Sequence, residues 1–269
     1  MGDEFNGPSL DVFKWWTRYI YNNGMLDHLN DEKEHFRENN NHVFSNGSLQ
    51  LTARIVSPGQ YESGMIRSKM TFKYGYFEAR VKMPPGIGMW PAFWLNADST
   101  PDGKVGWPPE IDIFEFVNNG KEDKVAQFHM GAVAQKKKDG GAAPQGGQLI
   151  SADPRLKGGE YYGKDDLTAD YHIFALLWDT DDTLTWYLDG TPLMKRSYKW
   201  TRNDGTDAPY AHVLLNLAFG GQWAGRHGID DSKFPQSFDV DYVRIYQKMG
   251  NQMTGQSFIG KDLYQPPAQ

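Results

Sequence analysis

Short apolar runs constrain the fold of this chain more than any other feature of its sequence. They recur along most of its length and are separated by Gly, Pro, Asn and Asp. The runs are residues 49–53, 76–83, 93–96, 173–178, 183–188, 212–218 and 238–246. Short strands separated by turn residues are typical of antiparallel β-sandwiches and barrels. We therefore expect an all-β protein in which helix is scarce.

Length and composition limit the range of possible functions as well as the range of possible folds. A chain of 269 residues fits one large all-β domain. The formal net charge of -6 gives no electrostatic reason to expect nucleic acid as a partner, because phosphate binding needs clustered positive charge. The 9 Trp and 14 Tyr suit a neutral polysaccharide, since sugar rings stack on aromatic side chains, although most of these aromatics are expected in the core. The chain has no Cys, which excludes disulfides and thiol chemistry.

Three carboxylates occur within six residues of an otherwise apolar, strand-like run at 109–115, Pro-Glu-Ile-Asp-Ile-Phe-Glu. Side chains alternate between the two faces of a strand, so Glu110 and Asp112 share one face. Strict alternation would place Glu115 on the other face. One extra residue, inserted as a β-bulge between Asp112 and Glu115, returns it to the first face. We therefore expect a bulged strand that carries three acids on one side.

Acids gathered on one face repel one another, which separates their pKa values. One carboxyl can then be ionised as a nucleophile while another is protonated as an acid at the same pH, which is the pair that a glycosidase needs. A Ca²⁺ cluster is the alternative explanation for three carboxylates. It is disfavoured here because Ca²⁺ loops are rich in Gly and Asn, whereas this run is apolar.

Several motifs give the chain a family resemblance. The bulged Glu-x-Asp-x-x-Glu pattern at 110–115 resembles the catalytic strand of glycoside hydrolase family 16, especially its laminarinase-like endo-β-1,3-glucanases. Further matches follow in the family's order at residues 3–7, 74–80, 90–95, 186–190 and 240–246. The resemblance implies a β-jelly-roll sandwich of two curved antiparallel sheets, with a substrate cleft across one of them.

The resemblance also implies roles for the acids. Glu110 matches the nucleophile, Glu115 the general acid and then base, and Asp112 the residue between them that tunes their charge. It further implies a retaining mechanism through a covalent glycosyl-enzyme intermediate. His129 falls on the next strand, where laminarinase-like members carry a histidine beside the acid/base, and we list it with the catalytic residues.

Four tryptophans match or flank cleft positions of the family. Trp90 and Trp94 match its cleft tryptophans and share a face if that segment is a strand. Trp223 lies in Gly-Gly-Gln-Trp, which resembles the loop lining the donor side of the cleft. Trp107, just before the acidic strand, is a further candidate for the same wall.

The sequence departs from the family at the segment 63–65. Many laminarinase-like members have an arginine at its third position, where this chain has Met65. Arg67 lies two residues on, hence on the same face of a strand, and we expect it to bind substrate instead. In addition, residues 106–109, Gly-Trp-Pro-Pro, look closer to members that act on bacterial exopolysaccharides.

No cofactor is expected for catalysis, but a structural Ca²⁺ is implied by the resemblance. Family members often hold this ion with main-chain oxygens and one Asp carboxylate. The matching positions here are Glu4, Gly47 and Asp241. Oxygen-only ligands suit Ca²⁺, although Asp241 equally fits an ordinary acid at a sheet edge.

Composition divides the chain into one domain and two further segments. We expect a single catalytic domain at 1–248 and a C-terminal tail at 249–269. Residues 134–165, rich in Gly and Lys, are expected to form a long surface loop. The segment 11–23 has some helical spacing, and a turn or loop fits it equally well. The first residues contain no signal peptide or membrane span, whereas the resemblance implies export, so we expect a trimmed chain of an extracellular or periplasmic enzyme.

These inferences converge on an endo-acting, retaining hydrolase of β-1,3- or mixed β-1,3/1,4-glucan. We expect a monomer that binds polysaccharide, without nucleic acid or membrane partners. One alternative keeps the mechanism and changes the polymer to a galactan or a bacterial exopolysaccharide. Another is a non-catalytic, lectin-like protein on the same fold, since fold alone does not fix function.

Overall fold

The computed structural model describes residues 1–38, 40–118, 124–134 and 149–260. In chain order, the strands of the first half are β1 (Gly2–Asp3), β2 (Trp15–Trp16), β3 (Glu34–Phe36), β4 (His42–Ser45), β5 (Ser48–Ser57), β6 (Gln60–Ser63), β7 (Met65–Ser68), β8 (Met70–Phe72), β9 (Gly75–Lys82), β10 (Met89–Ala97) and β11 (Glu110–Glu115). Those of the second half are β12 (Gln127–Val133), β13 (Leu149–Ala152), β14 (Leu156–Lys157), β15 (Glu160–Tyr162), β16 (His172–Asp179), β17 (Thr183–Leu188), β18 (Thr191–Ser197), β19 (Ala211–Phe219), β20 (Gln236–Tyr246) and β21 (Thr254–Gln256). Helix is confined to α1 (Tyr21–Gly24) and two 3₁₀ turns, Lys124–Ala126 and Asp231–Lys233, among the described residues.

The strands form two large sheets. The first has the order β13-β18-β17-β16-β9-β20-β5-β6-β3, with β1 beside β20 and β4 beside β5. The second has the order β14-β15-β12-β11-β10-β19-β7-β2, and β8 joins it between β19 and β21. Pairing is antiparallel except for β3 with β6. This arrangement confirms the predicted all-β jelly-roll sandwich.

The core fills the space between the two sheets. Phe93 and Phe114 of the second sheet face Phe174 and Phe238 of the first, and the rings of Phe114 and Phe174 lie 4.4 Å apart between centroids. All four side chains are essentially inaccessible to solvent. Buried aromatic pairs of this kind contribute beyond the burial of their surface, by about 0.5–1.5 kcal/mol each. This packing fixes the position of β10 and β11, which carry the acidic face.

The predicted β-bulge is present in β11. Phe93 pairs with Phe114 and Trp94 with Asp112, so Ile113 is the extra residue on that strand. The register with β12 shifts at the same place, between Asp112 and Glu115. Ile113 and Phe114 both point into the core, and Glu115 therefore returns to the face of Glu110 and Asp112.

The opposite sheet supports the bulge. The indole N–H of Trp186, on β17, donates a 2.8 Å hydrogen bond to the backbone carbonyl of Asp112. Trp186 is 1% exposed, so this bond lies in the core, where leaving a carbonyl unpaired would cost about 1–3 kcal/mol. A core tryptophan from one sheet thus fixes the backbone that carries the acids of the other.

The seven apolar runs all form strands, with ends that differ from the predicted ones by a few residues. The segment 11–23, for which helix and loop were both open, contains β2 and the start of α1. Asn22 and Asn23 in α1 have φ values of 51° and 55°, in the left-handed region that asparagine tolerates. None of the helices in the described ranges has the length and apolar character needed to span a bilayer.

Two expectations about irregular segments are corrected. The part of 134–165 that the structure describes contains β13, β14 and β15, so it is not a single loop; the lysine-rich residues 136–141 lie outside the described residues. Beyond residue 248, β21 pairs with β8, and Ser257 is buried. Residues 254–257 are therefore held against the second sheet, where the composition had predicted a loose tail.

Candidate active site

The acidic face of β11 opens into a cleft on the side of the second sheet that is turned away from the core. The cleft is lined by three carboxyls of β11, by outward side chains of β10 and β19, and by a loop before β3. The lining residues are Tyr19, Leu29, Asn30, Glu32, Trp90, Ala92, Trp94, Glu110, Asp112, Glu115 and Asn216. The structure thus brings the predicted acids together with two of the predicted tryptophans.

Indole groups are the hydrogen-bond donors to the two outer acids. Trp107 Nε1 donates to Glu110 Oε2 at 3.1 Å, and Trp90 Nε1 donates to Glu115 Oε1 at 3.2 Å. Each donor has a neutral ring, so it orients a carboxylate without neutralising its charge. In the described part of the chain, no lysine or arginine forms an ion pair with Glu110 or Glu115.

This environment favours the protonated form of each acid. Burial, followed by the neighbouring charge of Glu115, raises the pKa of Glu110 to about 8. Burial also raises the pKa of Glu115 to about 7, with a smaller contribution from the charge of Glu32. The pKa of Asp112 is raised by burial and by the charges of Glu110 and Glu115. Carboxyls that interact in this way titrate as one set, so they lose their protons stepwise.

One wall of the cleft is aromatic and lies on the Glu115 side. The ring of Trp223 lies 4.9 Å from that of Trp90 and 4.8 Å from that of His129, edge to face in both cases. His129 pairs across the ladder with Glu115, and its Nε2 lies 3.3 Å from a carboxylate oxygen of Glu160. The predicted residues Trp90, Trp223 and His129 therefore form one contiguous surface beside Glu115.

The loop that carries Trp223 is held close to the loop before β3. The backbone N–H of Gln222 donates to Asp31 Oδ2 at 2.9 Å. Gly221 has a φ of +68°, and a Cβ at this position would lie 2.5 Å from the Asp31 carboxylate. Only glycine combines that backbone conformation with so close an approach. This accounts physically for the Gly-Gly-Gln-Trp sequence.

Trp94 lies deeper in the cleft and is fixed by a residue that the sequence analysis missed. Its Nε1 donates to Asn216 Oδ1 at 2.8 Å, and Trp94 is only 7% exposed. Asn216 was hidden inside the apolar run 212–218. A lone amide in such a run is itself a signal, because a buried strand tolerates a polar side chain only when it has a partner.

The loop before β3 was also missed. Leu29, Asn30 and Glu32 reach the cleft from it, although it has neither strand periodicity nor one of the quoted family motifs. The sequence offered one usable signal, the cluster of polar side chains at 30–34, which resembles an ordinary solvated turn.

The expectation for Arg67 is wrong. Its side chain does lie on the same face as Met65, but it is 0% exposed. The guanidinium stacks on Trp16 at 4.2 Å, donates to the backbone carbonyl of Arg18, and donates to that of Ile259. Other parts of the chain cover it completely, so it has no surface with which to touch a sugar.

The residues predicted to hold calcium have other partners. Both carboxylate oxygens of Glu4 accept hydrogen bonds from Arg244 at 2.8 Å, and Asp241 accepts one from Arg80 at 2.7 Å. A guanidinium beside each carboxylate opposes the binding of a cation there. Of the predicted ligands only Asp241 is a side chain, and its partner Arg80 disfavours a cation there; the main-chain oxygens expected from Glu4 and Gly47 are not tested by these ion pairs, and calcium stays a prediction.

Comparison with known proteins places these features in a family. The model of a family described as "Beta-porphyranase A-D, GH16 domain" matches residues 1–248. The chain is 30% identical over 271 residues to the glucan endo-1,3-beta-glucosidase A1 of Niallia circulans, covering 91% of this chain and 37% of that protein. It is 31% identical over 215 residues to the keratan-sulfate endo-1,4-beta-galactosidase of Sphingobacterium multivorum, covering 76% and 44% respectively. The chain thus spans less than half of the length of either relative.

Solved structures agree with the fold. A mutant of the non-specific endo-beta-1,3(4)-glucanase SCLam from family GH16 superposes with a TM-score of 0.71 at 29% identity, covering 92% of this chain and 93% of that one. The laminarinase from Rhodothermus marinus gives a TM-score of 0.70 at 25% identity, covering 92% and 96%. The family match spans the bulged strand and its cleft, and the chain therefore belongs to glycoside hydrolase family 16.

Proposed function

We propose that the protein is an endo-acting, retaining glycoside hydrolase that cleaves β-1,3- or mixed β-1,3/1,4-glucan. The observation that carries the proposal is the bulge in β11, which turns Glu110, Asp112 and Glu115 into one cleft. A carbohydrate-binding relative would have no use for two partly protonated carboxyls at the bottom of its cleft. The glucanases among the similar proteins supply the linkage class.

In this proposal, Glu110 attacks the anomeric carbon and Glu115 protonates the departing oxygen. Glu110 must be ionised for the attack, and the N–H of Trp107 stabilises that form, whereas burial opposes it and raises the pKa of Glu110 above that of Glu115. The two carboxyls titrate as a coupled pair, so the family resemblance assigns their roles and the order of their pKa values does not. Glu115 must first be protonated, which burial and the charge of Glu32 favour. After the glycosyl-enzyme forms, Glu115 is a base and activates water. Asp112 lies between them and its pKa is raised by burial and by their charges, so the three carboxyls do not all ionise together.

The remaining predicted residues take supporting roles. We propose that Trp90, Trp94 and Trp223 form the sugar-stacking walls, with His129 on the leaving-group side beside Glu115. Trp107 acts through Glu110. The proposal also keeps a single catalytic domain at 1–248, a monomeric state, and extracellular or periplasmic action, since polymeric substrates of this size lie outside the cytoplasm.

A galactan is the second candidate substrate, and a specific observation favours it. The family model that matches residues 1–248 is described as that of beta-porphyranases. In addition, a keratan-sulfate endo-1,4-beta-galactosidase and a kappa-carrageenase are among the relatives. The segment 63–67 does not separate the two candidates, because Met65 and Arg67 are both fully buried and neither lines the cleft.

The test is a reducing-end assay with product sizing on laminarin, mixed-linkage glucan, agarose, porphyran and carrageenan. Oligosaccharides from laminarin or mixed-linkage glucan support the first proposal, and products from a galactan alone support the second. Glu110→Gln serves as the matched inactive control. Binding without cleavage of any polymer by the unaltered protein would contradict both and favour a lectin-like function.

A further inference from the structure

A fourth and a fifth carboxyl lie next to the cleft and have no part in the mechanism above. Glu32 lines the cleft with Glu110, Asp112 and Glu115. Glu34, two residues on in β3, is 1% exposed. Carboxylates are rarely buried without a cation, because transfer of a charge out of water is costly. The burial of Glu34 beside a second carboxyl therefore needs a physical explanation.

The hydrogen bonds of Glu34 provide that explanation. Its Oε2 accepts a 3.0 Å bond from the backbone N–H of Phe219. Its Oε1 is buried and receives no bond from any N–H or O–H donor among the described residues. The carboxyls of Glu32 and Glu34 lie within hydrogen-bonding reach of each other. Two ionised carboxylates cannot form such a bond, whereas a protonated one has an O–H to donate.

Glu32 is the hydrogen-bond acceptor of the pair. Its Oε2 accepts a 3.2 Å bond from the backbone N–H of Leu29, and when Glu34 donates to it, Glu32 accepts a second hydrogen bond. Glu34 is fully buried, whereas Glu32 lines the open cleft and accepts a second hydrogen bond, so a negative charge costs less on Glu32. The shared proton therefore belongs to Glu34.

We propose that Glu34 remains protonated in the working enzyme and donates a hydrogen bond to Glu32, which this bond holds at the cleft as a positioning residue for Glu115. The inference rests on the proposed function, because it gives Glu32 a role in the acid step. It assigns a task to two residues that belong to none of the motifs on which the family resemblance rests.

The surrounding backbone links this pair to the aromatic wall. The N–H of Lys33 donates to the carbonyl of Phe219 at 3.0 Å, while the N–H of Phe219 donates to Glu34. Phe219 ends β19 and is followed by the loop that carries Trp223. Loss of the Glu34 carboxyl would thus release both Glu32 and the base of the loop that packs Trp223 against Trp90.

The charge of Glu32 affects the protonation of Glu115. The charged and titratable groups that face it are Glu110 and Asp112 on its own strand, His129 on β12 with Glu160 beyond it, and Glu32 on the loop before β3. Glu32 in turn faces Glu34, His28 and Tyr19. Among these, Glu32 is the acid that approaches Glu115 from outside β11, and its negative charge favours a protonated Glu115.

The first experiment needs no substrate and measures the melting temperature from pH 4 to pH 9 for the unaltered protein and Glu34→Gln. A carboxyl whose pKa is raised by folding stabilises the protein below its unfolded pKa of about 4.3, and this stabilisation is lost as the pH rises towards the folded pKa. The amide of Glu34→Gln cannot ionise, keeps a donor for Glu32 and keeps an acceptor for Phe219. The variant should therefore gain roughly 3 °C or more on the unaltered protein between pH 4 and pH 9.

Glu62→Gln is the matched control, since Glu62 lies on β6 beside β3 and is partly exposed. It should show no such rise with pH. A melting difference for Glu34→Gln that is constant from pH 4 to pH 9 would overturn the shared proton. This outcome is independent of whether any polysaccharide is cleaved.

The second experiment measures kcat/KM against pH for Glu32→Gln. Removal of the negative charge should lower the pKa of Glu115 and move the basic limb of the profile down by roughly half a unit. Glu34→Leu, which removes both hydrogen bonds, should lower kcat about tenfold, whereas Glu34→Gln should keep it within about twofold. An unmoved basic limb in Glu32→Gln would refute the positioning role while leaving the hydrolase proposal intact.

Discussion

Two acidic residues of the same type show how surroundings decide what a carboxyl can do. Glu110 lies in the cleft, where burial raises its pKa and an indole N–H is its donor. Glu4 lies beside the other sheet, half exposed, where two bonds from Arg244 lower its pKa. An arginine beside a carboxylate stabilises the ionised form, so that group cannot serve as an acid or a base. A neutral hydrogen-bond donor leaves the carboxyl able to change its protonation state, and the indole donors in the cleft are neutral.

The largest effect is expected from Glu110→Gln. The amide keeps the size of the side chain and cannot attack the anomeric carbon, so kcat should fall by roughly 10³-fold or more. Oligosaccharide binding, measured by calorimetry, should remain close to normal. Glu4→Gln is the control at the surface and should retain full turnover. Near-normal turnover by Glu110→Gln would refute the assignment of Glu110 as the nucleophile. It would also show that the cleft carboxyl and the surface carboxyl do not differ in function.

Glu115→Ala comes next in size. Loss of the acid should slow hydrolysis of natural polymers by roughly 10²- to 10⁴-fold. Substrates with an activated leaving group should be cleaved much faster than polymers, because they depart without protonation. Added azide should then accelerate release and yield a glycosyl azide of β configuration, which proton NMR can identify. A product of α configuration would instead assign the nucleophile to this position.

The indoles permit a finer test with a matched pair of variants. The bond from Trp107 lowers the pKa of Glu110, so Trp107→Phe should raise it and move the acidic limb of kcat/KM to higher pH. The bond from Trp90 lowers the pKa of Glu115, so Trp90→Phe should move the basic limb to higher pH. Each change should cost about fivefold in kcat/KM at neutral pH. Movement of the same limb in both variants would contradict the assignment of roles.

The smallest effect is one of stability, and its sign should differ between the two sites. The pKa of Glu110 is raised by folding, so its stabilisation is present at acid pH and is lost as the pH rises towards 8. Glu110→Gln should therefore melt higher than the unaltered protein at pH 9 and equally at pH 4. The pKa of Glu4 is lowered, so Glu4→Gln should melt slightly lower at pH 7, by less than about 2 °C, with a difference that shrinks as the pH falls below the unfolded pKa of about 4.3. Thermal melts at these pH values would show whether the signs are indeed opposite.

The parts of the molecule that local sequence determines were predictable. Short apolar runs separated by turn residues identified seven of the longer strands, and the single irregularity in the 110–115 pattern predicted the bulge of β11. Glu115 could be placed on the cleft face because the position of a side chain on a strand follows from counting residues.

The parts that depend on distant contacts were not predictable. Arg67 has the right spacing to face the cleft, and only the packing of Trp16 and Ile259 over it reveals that it is buried. Glu32 and Asn216 contribute to the cleft through the way a loop and a neighbouring strand approach β11, and neither contact is encoded in a motif. Sequence periodicity reports which face a residue occupies, and it carries no information on what later covers that face.

The strand β21 separates the boundary of homology from the boundary of the folded unit. The family match ends at residue 248, yet Thr254–Gln256 pairs with β8, and Ile259 accepts a bond from Arg67. A protein shortened to that boundary would keep the three carboxyls of β11 but expose the edge of β8 and a desolvated guanidinium. Unpaired strand edges promote association between chains. The residues that pair with β8 therefore protect the protein against association, and a shortened version made for practical use should retain residues 249–260.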